Sequence, residues 1–195
     1  NPNRPLATLA LLMLFNLVFT PKSFRLEIKD GHPFGSLVAI ANRGVPLMLM
    51  PIGMSMVIAT GGVDLSVGAV AAISAAVATV LIGSVTDATS TPFPLAILAA
   101  LGASLLCGLW NGLLVSRGNI QPMVATLVLM VAGRGIAQLI TDGQIITIYF
   151  SPFFFIGGGF WLGLPFALFI VLVVFAAAWL LTRRTAIGLF VESVG

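Results

Sequence analysis

Three groups of polar side chains stand inside or beside long apolar blocks, where water is not at hand to bond them. The first is the run Thr60-Gly61-Gly62-Val63-Asp64-Leu65-Ser66. Its two glycines interrupt a helix, and Asp64 can cap the next one by accepting backbone N–H bonds. Direct contact with a substrate is the other role open to Asp64, because transporters place binding sites at the free ends of broken helices. The second group is Met130, Arg134 and Gln138 at a spacing of four, with Thr141 one turn beyond. On a polar path Arg134 and Gln138 would both hydrogen-bond hydroxyls; near the end of a span, Arg134 would equally well snorkel to the interface. The third is Trp110-Asn111, with Asn119 and Gln121 after it. An interfacial tryptophan and an interhelical asparagine bond account for these. Asn42 and Arg43 interrupt one further apolar block, together with Gly44. A charge at the centre of a span costs about 2.5 to 3.5 kcal/mol on insertion scales, so every ionisable group there is a functional candidate.

Other chemistries lack their residues. A single histidine, His32, excludes a multi-histidine metal site, and a serine protease within the membrane would need a histidine there. The two lysines, Lys22 and Lys29, do not follow a GxxxxG frame, so no phosphate-cradling loop exists. Gly157-Gly158-Gly159 reads as a flexible turn. With Cys107 as the one cysteine, no disulfide forms within the chain. No catalytic residue, metal or cofactor is expected of this chain.

The elements that position these residues follow from composition. Of 195 residues 59% are hydrophobic and 8% charged, against roughly a quarter charged in soluble domains. Too few polar side chains remain to cover a globule, so a soluble enzyme is excluded. A bilayer core of about 30 Å takes roughly 20 helical residues. Six blocks qualify or nearly do: 6–19, 37–59, 65–85, 93–115, 124–140 and 161–181. The expected fold is an all-α polytopic bundle of about six transmembrane helices, the N-terminal part of one transmembrane domain. Pro46 and Pro51 suggest that the second block is a broken helix. Ser104, Gly108 and Gly112 continue a row from Ala100 at a spacing of four, and Gly68, Ala72 and Ala76 do the same in the third block. Such rows let helices pack closely in lipid, so the third and fourth helices are expected to pack through them.

The net charge of +3 comes from scattered basic residues, adjacent only at Arg183-Arg184, which excludes a nucleic-acid surface and leaves a topology signal. Arg117, Arg183 and Arg184 mark one side as cytoplasmic, while 83–94 and 141–160 carry no basic residue. The N-terminus is then cytoplasmic. The loop 20–35, with Lys22, Arg25 and Lys29 partly balanced by Glu27 and Asp30, runs against this. Asn1 is not a start methionine, Leu6 to Phe19 lacks a signal-peptidase site, and both ends look cut from a longer protein.

IGMSMVIATGGVDLSVGAVAAISA resembles the signature of permease subunits of bacterial sugar ABC importers of the ribose, xylose and galactofuranose kind, through Gly61, Gly62, Asp64, Ser66 and Gly68. GLWNGLLVSRGNIQPMVATLVLMVAGRGIAQLITDGQIIT and TRRTAIGLFVESVG are similar to the same family, over Phe34 to Gly195, with the galactofuranose branch the most similar. The resemblance implies a permease of about ten helices in the bacterial inner membrane, working as a homo- or heterodimer with a second permease subunit. It further implies a cytoplasmic ATPase subunit, a periplasmic sugar-binding protein and lipid as partners, and that this stretch does not transport alone. The alternative is a secondary sugar transporter coupled to protons or sodium through Asp64.

Overall fold

The structure is a computed structural model that describes residues 3–19, 27–29, 32–83, 93–161 and 164–194. In chain order the elements are α1 (Asn3–Phe19), β1 (Glu27–Lys29), β2 (His32–Phe34), α2 (Ser36–Ala59), α3 (Val67–Gly83), α4 (Phe93–Ser116) and α5 (Pro122–Ile140). After these come α6 (Ser151–Gly158), β3 (Phe160–Trp161), β4 (Leu164–Pro165), α7 (Phe166–Arg184) and α8 (Ala186–Val194). The strands make two short antiparallel pairs, Glu27 opposite Phe34 and Phe160 opposite Pro165. The architecture is all-α.

Among the described residues four helices are long and apolar enough to cross a membrane: Val38–Ala59, Phe93–Ser116, Pro122–Ile140 and Phe166–Arg184. The remaining two of the six expected spans fall short among the described residues, as apolar helices Leu6–Asn16 and Val67–Gly83. At about 1.5 Å per residue the 17 residues of α3 reach roughly 25 Å, less than a bilayer core. Large apolar side chains are exposed along α1, α4 and α7, the outside expected where lipid is the solvent.

The chain divides into two compact units, Asn1–Leu49 with Ser151–Trp179, and Met50–Phe150 with Leu180–Gly195. In the first, Phe155 packs on Phe166 and Trp161 edge-on to Phe169, which joins α6 and the β3–β4 hairpin to α7. The core of the second is α3, packed against both α4 and α5. Ala69, Ile73 and Ala76 of α3 are buried, as are Ala125, Leu129 and Gly133 of α5. A Cβ on Gly133 would lie 3.0 Å from the Ala69 Cβ and 3.3 Å from the Ile73 Cδ1, so a bare backbone is what lets these two helices meet.

Several sequence expectations are corrected here. The second block is one continuous helix, not a broken one. Pro46 and Pro51 each delete one backbone donor, but an apolar segment has no better partner for its other amides than the helix itself. Gly157 and Gly158 belong to the last turn of α6 rather than to a flexible turn. The glycines of the small-residue rows do not make the close contacts: Gly68, Gly108 and Gly112 have open space among the described residues where a side chain would stand, although Ala76 at the end of the α3 row is buried. The buried stripe of α3 runs through Ala69, Ile73 and Ala76, sharing only Ala76 with the expected row. Helices α6 and α8 and both hairpins are not anticipated by the sequence pattern. Lys22, Arg25, Asp30 and residues 84–92, which bear on the topology argument, are outside the described residues.

Candidate functional site

The non-helical run between α2 and α3 is built by its own sequence. Gly61 adopts φ +75, the left-handed region that glycine enters without Cβ strain. Its N–H donates to the Ile58 carbonyl at 2.9 Å, and the Gly62 N–H to the Val57 carbonyl at 3.1 Å. This pair of bonds is a Schellman closure of α2. The chain then runs extended until Ser66, whose carbonyl accepts the first bond of α3 from the Val70 N–H at 2.9 Å. Ser66 is therefore the N-cap, and Asp64 lies two residues before it.

Asp64 Oδ1 accepts the Ser66 N–H at 2.7 Å and the Ser66 hydroxyl at 2.7 Å. Asn111, 45 residues further along and on α4, donates from Nδ2 to the same Ser66 Oγ at 3.1 Å. Because the serine proton is committed to Asp64, only the oxygen's lone pairs face Asn111, and this fixes which end of the amide points there. The donors form one chain, Asn111 to Ser66 to Asp64, ending on a carboxyl oxygen. Ser66 and Asn111 are 1% and 8% exposed. Among the described residues the geometry leaves Asn111 Oδ1 buried with no hydrogen-bond partner, which costs about 1 to 3 kcal/mol. On the other side of the run, the single hydroxyl proton of the buried Thr126 is shared between the Val63 carbonyl at 3.3 Å and the carbonyls of Pro122 and Met123 on its own helix at 2.9 and 3.2 Å. The bond to Val63 ties the extended segment to the first turn of α5, whose N1 proline needs no partner for an N–H.

A cavity of about 550 Å³ opens beside this network. Its wall is largely apolar, from Val57, Val63, Val67, Val70 and Val115, with Thr60, Asp64, Ser66, Asn111 and Thr126 as the polar groups. Ser104, Gly108 and Gly112 form its α4 side, so the row of small residues makes room instead of a contact. Val194 at the end of α8 also reaches the wall. A second cavity of about 460 Å³ lies along α2, lined by Met50, Met54 and Ser55 among others, and Asp64 belongs to both. Among the described residues neither cavity is lined by a lysine, arginine or histidine.

Of the candidates read from the sequence, Thr60, Gly62, Asp64, Ser66 and Asn111 come together here, with Ser104, Gly108 and Gly112; Gly61 makes the turn. Asn42, Arg43, Gln121, Arg134 and Gln138 line neither cavity. Arg43, Gln121, Arg134 and Gln138 are exposed, and Asn42 has a buried Oδ1 without a partner among the described residues. Thr126 is not among the sequence candidates, although its place four residues after the Pro122 that opens α5 is visible in the sequence.

Residues 36–195 match the family described as branched-chain amino acid transport system / permease component. The galactofuranose transporter permease protein YtfT of Escherichia coli (strain K12) is 46% identical over 97% of this chain and 54% of its own length. The fructose import permease protein FruF of Bifidobacterium longum (strain NCC 2705) is 35% identical over 83% of this chain and 45% of its own. The ribose import permease protein RbsC of Haemophilus influenzae (strain ATCC 51907 / DSM 11121 / KW20 / Rd) is 37% identical over 75% and 45%. The chain thus spans about half the length of the curated relatives it matches. No solved structure matches it.

Proposed function

This chain belongs to the permease-component family of the branched-chain amino acid transport systems, and from that premise we propose that it is the N-terminal part of the membrane-spanning subunit of an ABC importer for a monosaccharide, galactofuranose or a similar sugar. The observation that carries this reading is the 46% identity to a galactofuranose permease along 97% of the chain. The fructose and ribose import permeases among its relatives point the same way.

The site is in keeping with a sugar. A sugar brings hydroxyl donors, which an acceptor wall suits. The permease sits in the bacterial inner membrane with its N-terminus in the cytoplasm. Its partners are a second permease subunit, identical or related, a cytoplasmic ATPase and a periplasmic sugar-binding protein. ATP is hydrolysed on the separate ATPase, so this chain carries no catalytic residue.

The test is uptake by the full-length permease reconstituted with its ATPase and binding protein. ATP-dependent entry of radiolabelled D-galactose, D-ribose or D-fructose is expected. Entry of leucine in their place would overturn the substrate assignment. Sugar entry that follows an imposed proton or sodium gradient without ATP would establish the ion-coupled alternative.

A further inference from the structure

Asp64 has two carboxyl oxygens, and only Oδ1 is engaged. It holds both Ser66 donors, while Oδ2 makes no hydrogen bond among the described residues. The same side chain lines both cavities. The Asn111 to Ser66 to Asp64 chain is kept at the cost of a buried Asn111 Oδ1 that has no hydrogen-bond partner among the described residues, on a residue that lines the larger one. An asparagine serving only to join α3 and α4 would have no reason to leave its acceptor unpaired, and a buried unsatisfied group of this kind calls for an explanation.

We propose that Asp64 Oδ2 is a sugar contact, accepting hydroxyl hydrogen bonds from a neutral monosaccharide in the 550 Å³ cavity, with Ser66 and Asn111 as positioning residues that hold the carboxyl group. The cavity volume lies inside the range of small-molecule sites, roughly 300 to 1,000 Å³, and a mostly apolar wall with a few convergent polar groups is the usual make-up of one. The sign of the charge sets the selectivity. With an acidic group on the wall and no cation near it among the described residues, the cavity accepts neutral sugars and rejects their phosphate esters. This assignment rests on the importer reading above and adds to it the residue that meets the sugar and the class of sugar that is refused.

The experiment uses the full-length permease purified in detergent and reads its thermal unfolding with D-galactose, D-ribose or D-fructose as probe. The corresponding sugar phosphates are the comparison. A sugar that the reconstituted complex imports is expected to raise the melting temperature, and its phosphate is not. Asp64→Asn keeps an oxygen for both Ser66 donors but turns the other end of the group into a donor. It should melt like the parent without sugar and need roughly ten- to a hundredfold more sugar for the same shift, the loss expected of a hydrogen bond to a charged group. Asn111→Leu should weaken the sugar shift less than Asp64→Asn, as expected of a positioning residue. Gly108→Leu puts a side chain into the cavity where none meets an obstacle, and should abolish the shift in a folded protein. If the complex imports a sugar whose shift survives both Asp64→Asn and Gly108→Leu, or whose phosphate stabilises equally, the contact is wrong and the importer reading stands. If the complex imports no sugar with ATP, the importer reading itself falls.

Discussion

Removing the small serine at the centre of the polar chain should do more harm than removing the larger asparagine at its end. In Ser66→Ala the backbone N–H still reaches Asp64 Oδ1, but the hydroxyl bond is lost and Asn111 Nδ2 loses its acceptor. Since Asn111 Oδ1 already lacks a partner among the described residues, the whole buried amide is then unsatisfied there. Leaving a buried donor unpaired costs about 1 to 3 kcal/mol. Asn111→Leu takes away the donor together with the orphaned acceptor and leaves Ser66 bonded to Asp64. Its effect should stay within about 1 kcal/mol of the parent, since Ser66 keeps its bond to Asp64 and no buried polar group is left wholly unpaired. In the double variant the amide is absent, so the loss seen for Ser66→Ala should shrink toward that of Asn111→Leu. The cycle should therefore show a coupling of at least about 0.5 kcal/mol. The assay is thermal or SDS-titrated unfolding of the full-length permease in mixed micelles. Asn111→Leu as destabilising as Ser66→Ala, with additive losses in the double variant, would mean that Asn111 Oδ1 has a partner and that the amide orientation is wrong.

Two further outcomes follow from the same geometry. Gly133→Leu should destabilise by about 1 to 3 kcal/mol through overpacking against Ala69 and Ile73, whereas Gly108→Leu, with open space, should melt like the parent. Equal losses from the two would show that the row on α4 is a packing face after all. Single cysteines at Ser116 and Gln144, in a Cys107→Ala background, should be labelled by an impermeant maleimide from the periplasmic side only at Gln144. Labelling at Ser116 alone would invert the topology.

How much of this was legible in the sequence depends on the range of each interaction. The break between α2 and α3 was visible because it is local: two glycines, then an acid and a serine, specify a helix end and a helix start within seven residues. The partner of Ser66 was not, because Asn111 is 45 residues away and a lone asparagine before a polar loop has many other uses. The rows of small residues were visible but suggest the wrong task. Spacing tells which residues share a helix face, not what lies against that face, and here the Gly108 face borders a cavity while Ala69 and Gly133 make the close contact. The prolines of α2 mislead for a related reason, since a missing donor marks a weak point and the surroundings decide whether the helix yields there. Arg134 and Gln138 are exposed and line neither cavity; their stripe marks a polar face of α5 with no partner the sequence could name.

The two glycines that open the break have different duties, and alanine separates them. Gly61 sits at φ +75 with no neighbouring atom within 4 Å of where a Cβ would stand, so an alanine there meets no obstacle and bears only the left-handed backbone strain, about 1 to 2 kcal/mol. Asparagine, which tolerates that region better, should recover part of the loss. Gly62 has no positive φ, and its Cβ would lie 3.3 Å from Val57 Cγ1, 3.4 Å from the Val57 carbonyl oxygen and 3.7 Å from Pro122 Cβ. A methyl group fits there if the valine tip gives by a few tenths of an ångström; anything larger would push the end of α2 away from the start of α5. Gly61→Ala should therefore lower the melting temperature more than Gly62→Ala, with Gly61→Asn between Gly61→Ala and the parent, while Gly62→Leu should be worse than any of them. If Gly61→Asn gains nothing over Gly61→Ala, backbone strain is not what the first glycine relieves. If Gly62→Leu is harmless, the extended run that carries Asp64 is not anchored between α2 and α5.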